Sequence, residues 1–325
     1  KRILRRFAFL ALGICSALPL SVSAQQAFPT KPIRLIVGFA PGGGADSAAR
    51  LIVPKLADIL GQSVVIENKP GAGGNLASDL LMKSDPDGYT IMLTTVGSMA
   101  INPHMPGGTN FNPLVDFSMI SQGVTFSNIL VVRTESNIKS LQDYVALGKD
   151  KNTFVTFGSS GNGSTGHLAG ELLKARTGMK AEHINYKGGG PAMTDLLGGN
   201  ITAIFASTPT AVPLIQGGKL RPIAVTSPKR TSGLPNVPTI AESGLKDFDA
   251  AGWNGIVAPA GTPPDIIAIL NQVVNTALRQ PSIKAKMDSQ GVVLDIQTPA
   301  QFGQTIRTET EKWATVIKKA QIKLD

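Results

Sequence analysis

Cysteine, histidine and aromatic residues are scarce in this sequence, and each scarcity removes a class of function. The single cysteine is Cys15, and the histidines are His104, His167 and His183. One thiol allows no internal disulfide and no zinc or redox site built on thiolates, and three scattered histidines make a poor metal cluster. Three tyrosines and two tryptophans offer few platforms on which nucleobases could stack. The cationic residues are spread along the chain without a run, so no basic stripe for nucleic acid is present either. Metal chemistry, cofactors held by thiolates and nucleic-acid partners are therefore not expected. About 300 residues bury enough apolar surface for packing alone to provide stability.

The N-terminus has the three-part pattern of an export signal. Lys1, Arg2, Arg5 and Arg6 form a charged region, and Phe7 to Val22 is a nearly unbroken apolar run. Such a run is shorter than the ~20 residues that a membrane-spanning helix needs. Val22-Ser23-Ala24 supplies small residues for cleavage, which predicts a signal peptide over 1–24, a mature start at Gln25 and a periplasmic location. Ile14, immediately before Cys15, fits a lipoprotein cleavage site poorly. Removing the signal cations lowers the net charge from +9 to +5, a mild excess compatible with attracting anions.

From Ile33 onward, short apolar runs alternate with helical stretches, the pattern of an α/β fold with a parallel sheet covered by helices on both faces. Strands are predicted at 33–39, 63–67 and 90–95, with helices at 46–60 and 75–83. The Asp46 helix carries apolar Ala49, Ile52, Val53, Leu56 and Leu60 at helical spacing. A second set of alternations begins near Ser127 and runs to Ser227, with a short helix near Val212. The segment from Pro228 to Pro264, rich in Pro, Gly and Ser, reads as a return connection. Two helical stretches follow, 264–279 and 299–319. They need a sheet to cover, and the first unit has few strands, so the chain is expected to cross back and complete it. The implied domains are 25–125 plus 228–325, and 126–227, joined by two crossovers around a cleft that closes by hinge motion.

Three glycine-rich turns follow strands and precede helices: 40–46 (APGGGAD), 158–167 (GSSGNGSTGH) and 186–195 (YKGGGPAMTD). Each could be no more than a tight turn. Together they describe anion sites, because glycine lets a ligand approach the backbone while free N–H groups and the positive helix end favour a carboxylate or phosphate. In open α/β sheets, ligands occupy the crevice beyond the strand carboxyl ends. Asp46 and Asp195 would cap helices or hold loops, and an Asp195 facing the cleft could accept from a ligand ammonium or hydroxyl.

Two enzyme readings compete. Gly161 to Gly166 formally satisfies the dinucleotide fingerprint, but the glycines do not follow the strand directly, and Glu182 opens the next strand instead of ending it. Ser159, Ser160 and Ser164 with His167 and Asp195 nominally supply a nucleophile, a base and an orienting acid. No Gly-x-Ser-x-Gly occurs, and Ser136-Asn137-Ile138-Lys139 lacks the partner motifs of a Ser-x-x-Lys enzyme.

The segments FPTKPIRLIVGFAPGGGADSAAR, VIENKPGAGGNLASDLL, DPDGYTIML, INYKGGGPAMTDLLGG and LPNVPTIAES occur in this order along the chain. They resemble the substrate-binding proteins of tripartite tricarboxylate transporters, the Bug-type periplasmic receptors. The resemblance implies a type II periplasmic-binding fold of two α/β lobes, a small organic acid as ligand, two integral membrane transporter components as partners, no cofactor and no catalysis. It also implies a ligand carboxylate held largely by backbone groups and water. The residues it points to are Phe39, Gly43, Gly44 and Asp46 in the first loop, with Ser98 after TIMLTT. From the second domain it points to Ser159, Ser160, Thr165 and His167, then Gly188, Ala192 and Asp195, with Ser207 and Thr208 weaker. No arginine lies in these loops, so a second ligand carboxylate would rely on Lys187, backbone donors or water. Nothing requires more than a monomer, and a sensor that signals without transport would use the same pocket.

Overall fold

The computed structural model describes residues 28–105 and 107–319, so the expected signal peptide lies outside the described residues. Two sheets organise the chain. The first contains β1 (Ile33–Val37), β2 (Val64–Asn68), β3 (Thr90–Thr95), β4 (Phe117–Phe126), β10 (Gly252–Pro259) and β11 (Val292–Asp295), in the order β11-β4-β10-β3-β1-β2. The second contains β5 (Asn128–Arg133), β6 (Thr156–Ser159), β7 (Glu182–Asn185), β8 (Ala203–Ser207) and β9 (Leu220–Val225), in the order β7-β6-β8-β5-β9.

Local composition accounts for the elements. In β1, Ile33, Leu35, Ile36 and Val37 are fully buried, as expected for a strand covered on both faces. Its one exposed residue, Arg34, makes a bidentate ion pair with Glu67 on β2 at 2.9 and 3.0 Å. Helix α1 (Gly44–Leu60) buries Ala49, Ile52 and Leu56 at spacings of three and four, and Gly61, with φ of 65°, ends it in the left-handed conformation. Helix α2 (Asn75–Met82) links β2 to β3, and α3 (Leu141–Lys149) starts at Ser140, whose hydroxyl accepts from the Asp143 N–H.

The expected parallel pairing is found in part of each sheet, and the rest is antiparallel. Strands β1, β2 and β3 are parallel, as are β6, β7 and β8, but β10 runs antiparallel to both β3 and β4, and β5 runs antiparallel to both β8 and β9. The cause is the pair of crossovers. The chain passes from β4 to β5 through Ser127 alone, and after β9 it returns through 226–251 to insert β10 between β3 and β4. The return connection therefore holds a central strand, with all eight residues of β10 buried. Helices α7 (Pro264–Leu278) and α9 (Pro299–Lys319) pack against β4, and α8 (Pro281–Ser289) leads into β11.

One buried apolar cluster lies within the first sheet and its helices, around Leu35, Ile52 and Val274, and another within the second, around Ile129, Leu196 and Ile204. The largest joins them across the crossovers through Leu130, Ala224, Ala250 and Trp253. Phe302 on α9 is fully buried there, edge-on to Trp253 at 5.3 Å between ring centroids, over the space left by Gly255. Replacing Phe302 by alanine is expected to cost about 3–5 kcal/mol. Urea unfolding of Phe302→Ala against the parent chain reads this directly.

Candidate functional site

The helices that follow the loops at the strand carboxyl ends set the geometry. After β1, the loop through Phe39 and Gly42 is tied back by Asp46 in the first turn of α1. Asp46 is 2% exposed, and its carboxylate accepts from the Gly42 N–H at 3.0 Å, Arg50 Nε at 2.9 Å and Asn68 Nδ2 at 3.0 Å. Asn68 Nδ2 also donates to the Phe39 carbonyl. Burial alone would raise the Asp46 pKa, but the bonds from Arg50, Gly42 and Asn68 outweigh it and hold the carboxylate below its ordinary range.

After β6, the second loop is braced from behind by two histidines. The Ser159 hydroxyl is 2.7 Å from His183 Nε2, and His183 stacks on His167 at 4.0 Å. His167 Nδ1 accepts from the Gly163 N–H at 3.1 Å, while Ser164 caps helix α4 (Thr165–Thr177) by accepting from the His167 N–H. Burial, then the charges of His183 and Lys174, push the His167 pKa down to about 3. The ring is therefore neutral, and its acceptor at Nδ1 leaves the proton on Nε2. After β7, Gly188 (φ 150°) enters helix α5 (Gly189–Gly198), and Asp195 accepts from the Tyr186 hydroxyl at 2.7 Å and from Asn200 Nδ2. After β8, Ser207 leads into α6 (Thr208–Gln216), its hydroxyl 2.9 Å from Thr210 Oγ1.

The loops of the two lobes touch through backbone. The Ala40 N–H donates to the Lys187 carbonyl at 2.8 Å. Gly43 faces Gly189, Gly73 faces the Asn162 carbonyl, and a methyl group placed on Gly97 would fall 2.8 Å from the Gly163 carbonyl oxygen. Between them lies a cavity of about 50 Å³. The first lobe lines it with Phe39, Gly43 to Ala45, Thr95 to Gly97 and Asn254, and Phe126 lines it where the chain crosses between the lobes. The second contributes Asn128, Ser160, Ser164, Thr165, Gly189, Ile204 to Ala206 and Ser207.

Among the described residues no ionisable side chain lines this cavity. What does line it is the start of helices: Gly44 opens α1, Thr165 opens α4, Gly189 opens α5 and Ser207 immediately precedes α6. First-turn N–H groups have no partner within their helix, and each N-terminus carries roughly half a positive charge. Such an arrangement can hold an anion by hydrogen bonds and dipoles alone. Asn128 supports it by donating to Thr165 Oγ1 at 2.9 Å, which leaves the threonine proton available to a ligand.

Of the residues anticipated from sequence, Phe39, Gly43, Gly44, Ser160, Thr165 and Ser207 come together around the cavity. Asp46, Ser159, His167 and Asp195 brace the loops through hydrogen bonds, and Gly188 abuts Ala40 of the facing lobe. Ser98 is 2% exposed and bonded to Thr94, and Ala192 and Thr208 are fully buried. Lys187 does not line the cavity. Among the described residues no group of three or more His, Cys, Asp or Glu side chains is placed to hold a metal ion. Sequence reasoning missed Asn128 and Asn254. Asn128 stands at the first position of a strand, and Asn254 lies within the segment read as a connection.

The histidine brace makes a testable claim. Between pH 6.5 and 3 the unfolded chain protonates at position 167 while the folded chain does not, so stability is complete above about pH 6.5 and falls as pH drops. The slope from this one group reaches at most about 1.4 kcal/mol per pH unit. Denaturation measured from pH 7 to 4 should be steeper for the parent chain than for His167→Gln.

The sequence matches the profile of the "Tripartite tricarboxylate transporter family receptor" over residues 48–322. It is 35% identical to the protein BugT of Bordetella pertussis over 321 residues, covering 98% of both chains. Among solved structures, it is similar to Rpa4515 of R. palustris with adipate, at 34% identity and a TM-score of 0.87, over 91% of this chain and 99% of that one. It is also similar to MatC of Rhodopseudomonas palustris with bound malate, at 28% identity and a TM-score of 0.85, over 89% of this chain and 100% of that one. The chain belongs to the tripartite tricarboxylate transporter receptor family.

Proposed function

We propose that this protein is a periplasmic solute-binding receptor whose two lobes, 25–125 with 228–325 and 126–227, close on a small carboxylate and deliver it to integral membrane transporter components. The observation that carries this reading is the convergence of helix N-termini from both lobes on a cavity without an ionised side chain. A carboxylate fits that field. The carboxylates bound by Rpa4515 and MatC support the same class of ligand. The cavity residues that would hold the ligand are Phe39, Gly43, Gly44, Ser160, Thr165 and Ser207, with Asp46, Ser159 and His167 holding the loops around it.

Binding without chemistry is the reading the site supports. The residues named for a hydrolase are bonded to other partners: His167 accepts at Nδ1 from the Gly163 N–H, Ser159 is fully buried and bonded to His183 instead of His167, and Asp195 is bonded to Tyr186 and Asn200. Close packing of the loop glycines, Gly163 against Asn102 of the facing lobe and Gly166 against the Phe205 carbonyl of its own, supports a small ligand over a dinucleotide.

A thermal-unfolding scan of the chain with monocarboxylates, dicarboxylates, tricarboxylates and NAD tests this. A ligand at a hundred times its dissociation constant stabilises by about 2.7 kcal/mol, which should raise the midpoint by roughly 5 °C or more. A shift with at least one acid and none with NAD is expected. Gly97→Ala, which puts a methyl group against the facing loop, should weaken that acid's binding at least tenfold. A shift with NAD alone would contradict the receptor reading.

A further inference from the structure

One group in the cavity has no counterpart on the protein. Asn254, on β10, is 95% buried, and its Oδ1 has no hydrogen-bond partner among the described residues. Its backbone is anchored on both sides, opposite Thr95 on β3 and Val124 on β4. Just beyond it the pairing with β4 shifts register, next to Gln122 and Gly123, the latter with φ of 95°. Irregularities of this kind re-aim side chains beside functional sites.

Among the described residues none donates to this acceptor. Asn254 also borders a smaller cavity of about 20 Å³, walled by apolar side chains such as Ile52, Leu93 and Ile256, which donate nothing. Gln122 borders the same space, but its Nε2 donates to Asp295 and its own Oε1 is a second unpartnered acceptor. A buried amide oxygen left unpaired is destabilising, and native structures seldom keep one unless a ligand or water completes it.

We propose that Asn254 determines specificity and that the ligand is a short hydroxycarboxylate, its carboxylate at the helix N-termini and its hydroxyl donating to Asn254 Oδ1. This rests on the site being a carboxylate receptor and narrows the ligand class. An ammonium would also donate, but a buried cation needs an acidic partner, and no acidic side chain among the described residues lines the cavity. Asp46 and Asp195, the acids of the first and third glycine-rich loops, are committed to Arg50 and Asn68, and to Tyr186 and Asn200, and Asp249 is paired with Lys312. An acid with a purely apolar body would seal Asn254 away from water without a partner, and sites built around such a polar group reject analogues that lack its complement. The small volume favours a ligand of a few carbons.

Calorimetric titration of the full chain with matched probes decides the matter: malate against succinate, lactate against propionate, and aspartate and alanine as amino counterparts. The hydroxylated member of at least one pair is expected to bind tenfold or more tightly than its deoxy partner and than its amino counterpart. Asn254→Leu should reduce that ratio to threefold or less by weakening the hydroxy acid alone. Equal binding within both pairs by the parent chain, tighter binding of an amino counterpart, or an unchanged ratio in the variant would overturn the proposal. The parent-chain ratios decide it even where the variant does not fold. Binding of acids without hydroxyl preference would sink this inference alone, whereas binding of no acid at all would sink the carboxylate reading with it.

Discussion

A small anion leaves water only for a place that stabilises its charge, and among the described residues of this protein no cationic side chain lines the cavity to do so. Backbone supplies the field instead. The α1, α4 and α5 N-termini open directly onto one cavity of about 50 Å³, and α6 begins beside it. They belong to two different sheets, so the field is assembled only when the loops of both lobes are brought together. Topology explains how: every one of these helices follows a strand, and the carboxyl ends of β1, β6, β7 and β8 are turned toward the same gap.

A field made of backbone needs backbone at close range, which accounts for the glycines. Gly43, Gly97 and Gly188 stand where a side chain would meet the facing lobe within about the width of an atom. Because these loops have little side-chain mass of their own, they must be held from behind. Asp46 holds the first loop through Gly42, Arg50 and Asn68, and the stacked His167 and His183 hold the second through Gly163 and Ser159. Charged and titratable groups thus act one layer away from the cavity, and the cavity itself keeps neutral donors and acceptors such as Thr165, Asn128 and Asn254.

Much of this was legible in the sequence where local signals are strong. The glycine loops and the periodic α1 announce themselves by residue type, and the strands they flank follow. Two features depended on distant partners. Strand β10, Gly252–Pro259, carries two glycines and a proline and takes its stability from β3 and β4 on either side, so it reads as a connection. Strand β4, with Ser, Gln and Gly along its length and a register shift, has no clean alternation. Missing β10 meant missing Asn254. Likewise, a residue type alone does not separate a ligand contact from a brace: Asp46 and His167 sit in the right loops but turn their polar atoms toward the loop backbone.

The most direct test of the account is an amide-resolved NMR titration of the protein with the best-binding acid. If helix N-termini from both lobes hold the carboxylate, the amide resonances of Gly44, Ala45, Thr165, Gly166 and Gly189 will move downfield together, with one shared binding curve. Shifts confined to one lobe, or centred on lysine side chains with these amides unmoved, would contradict it.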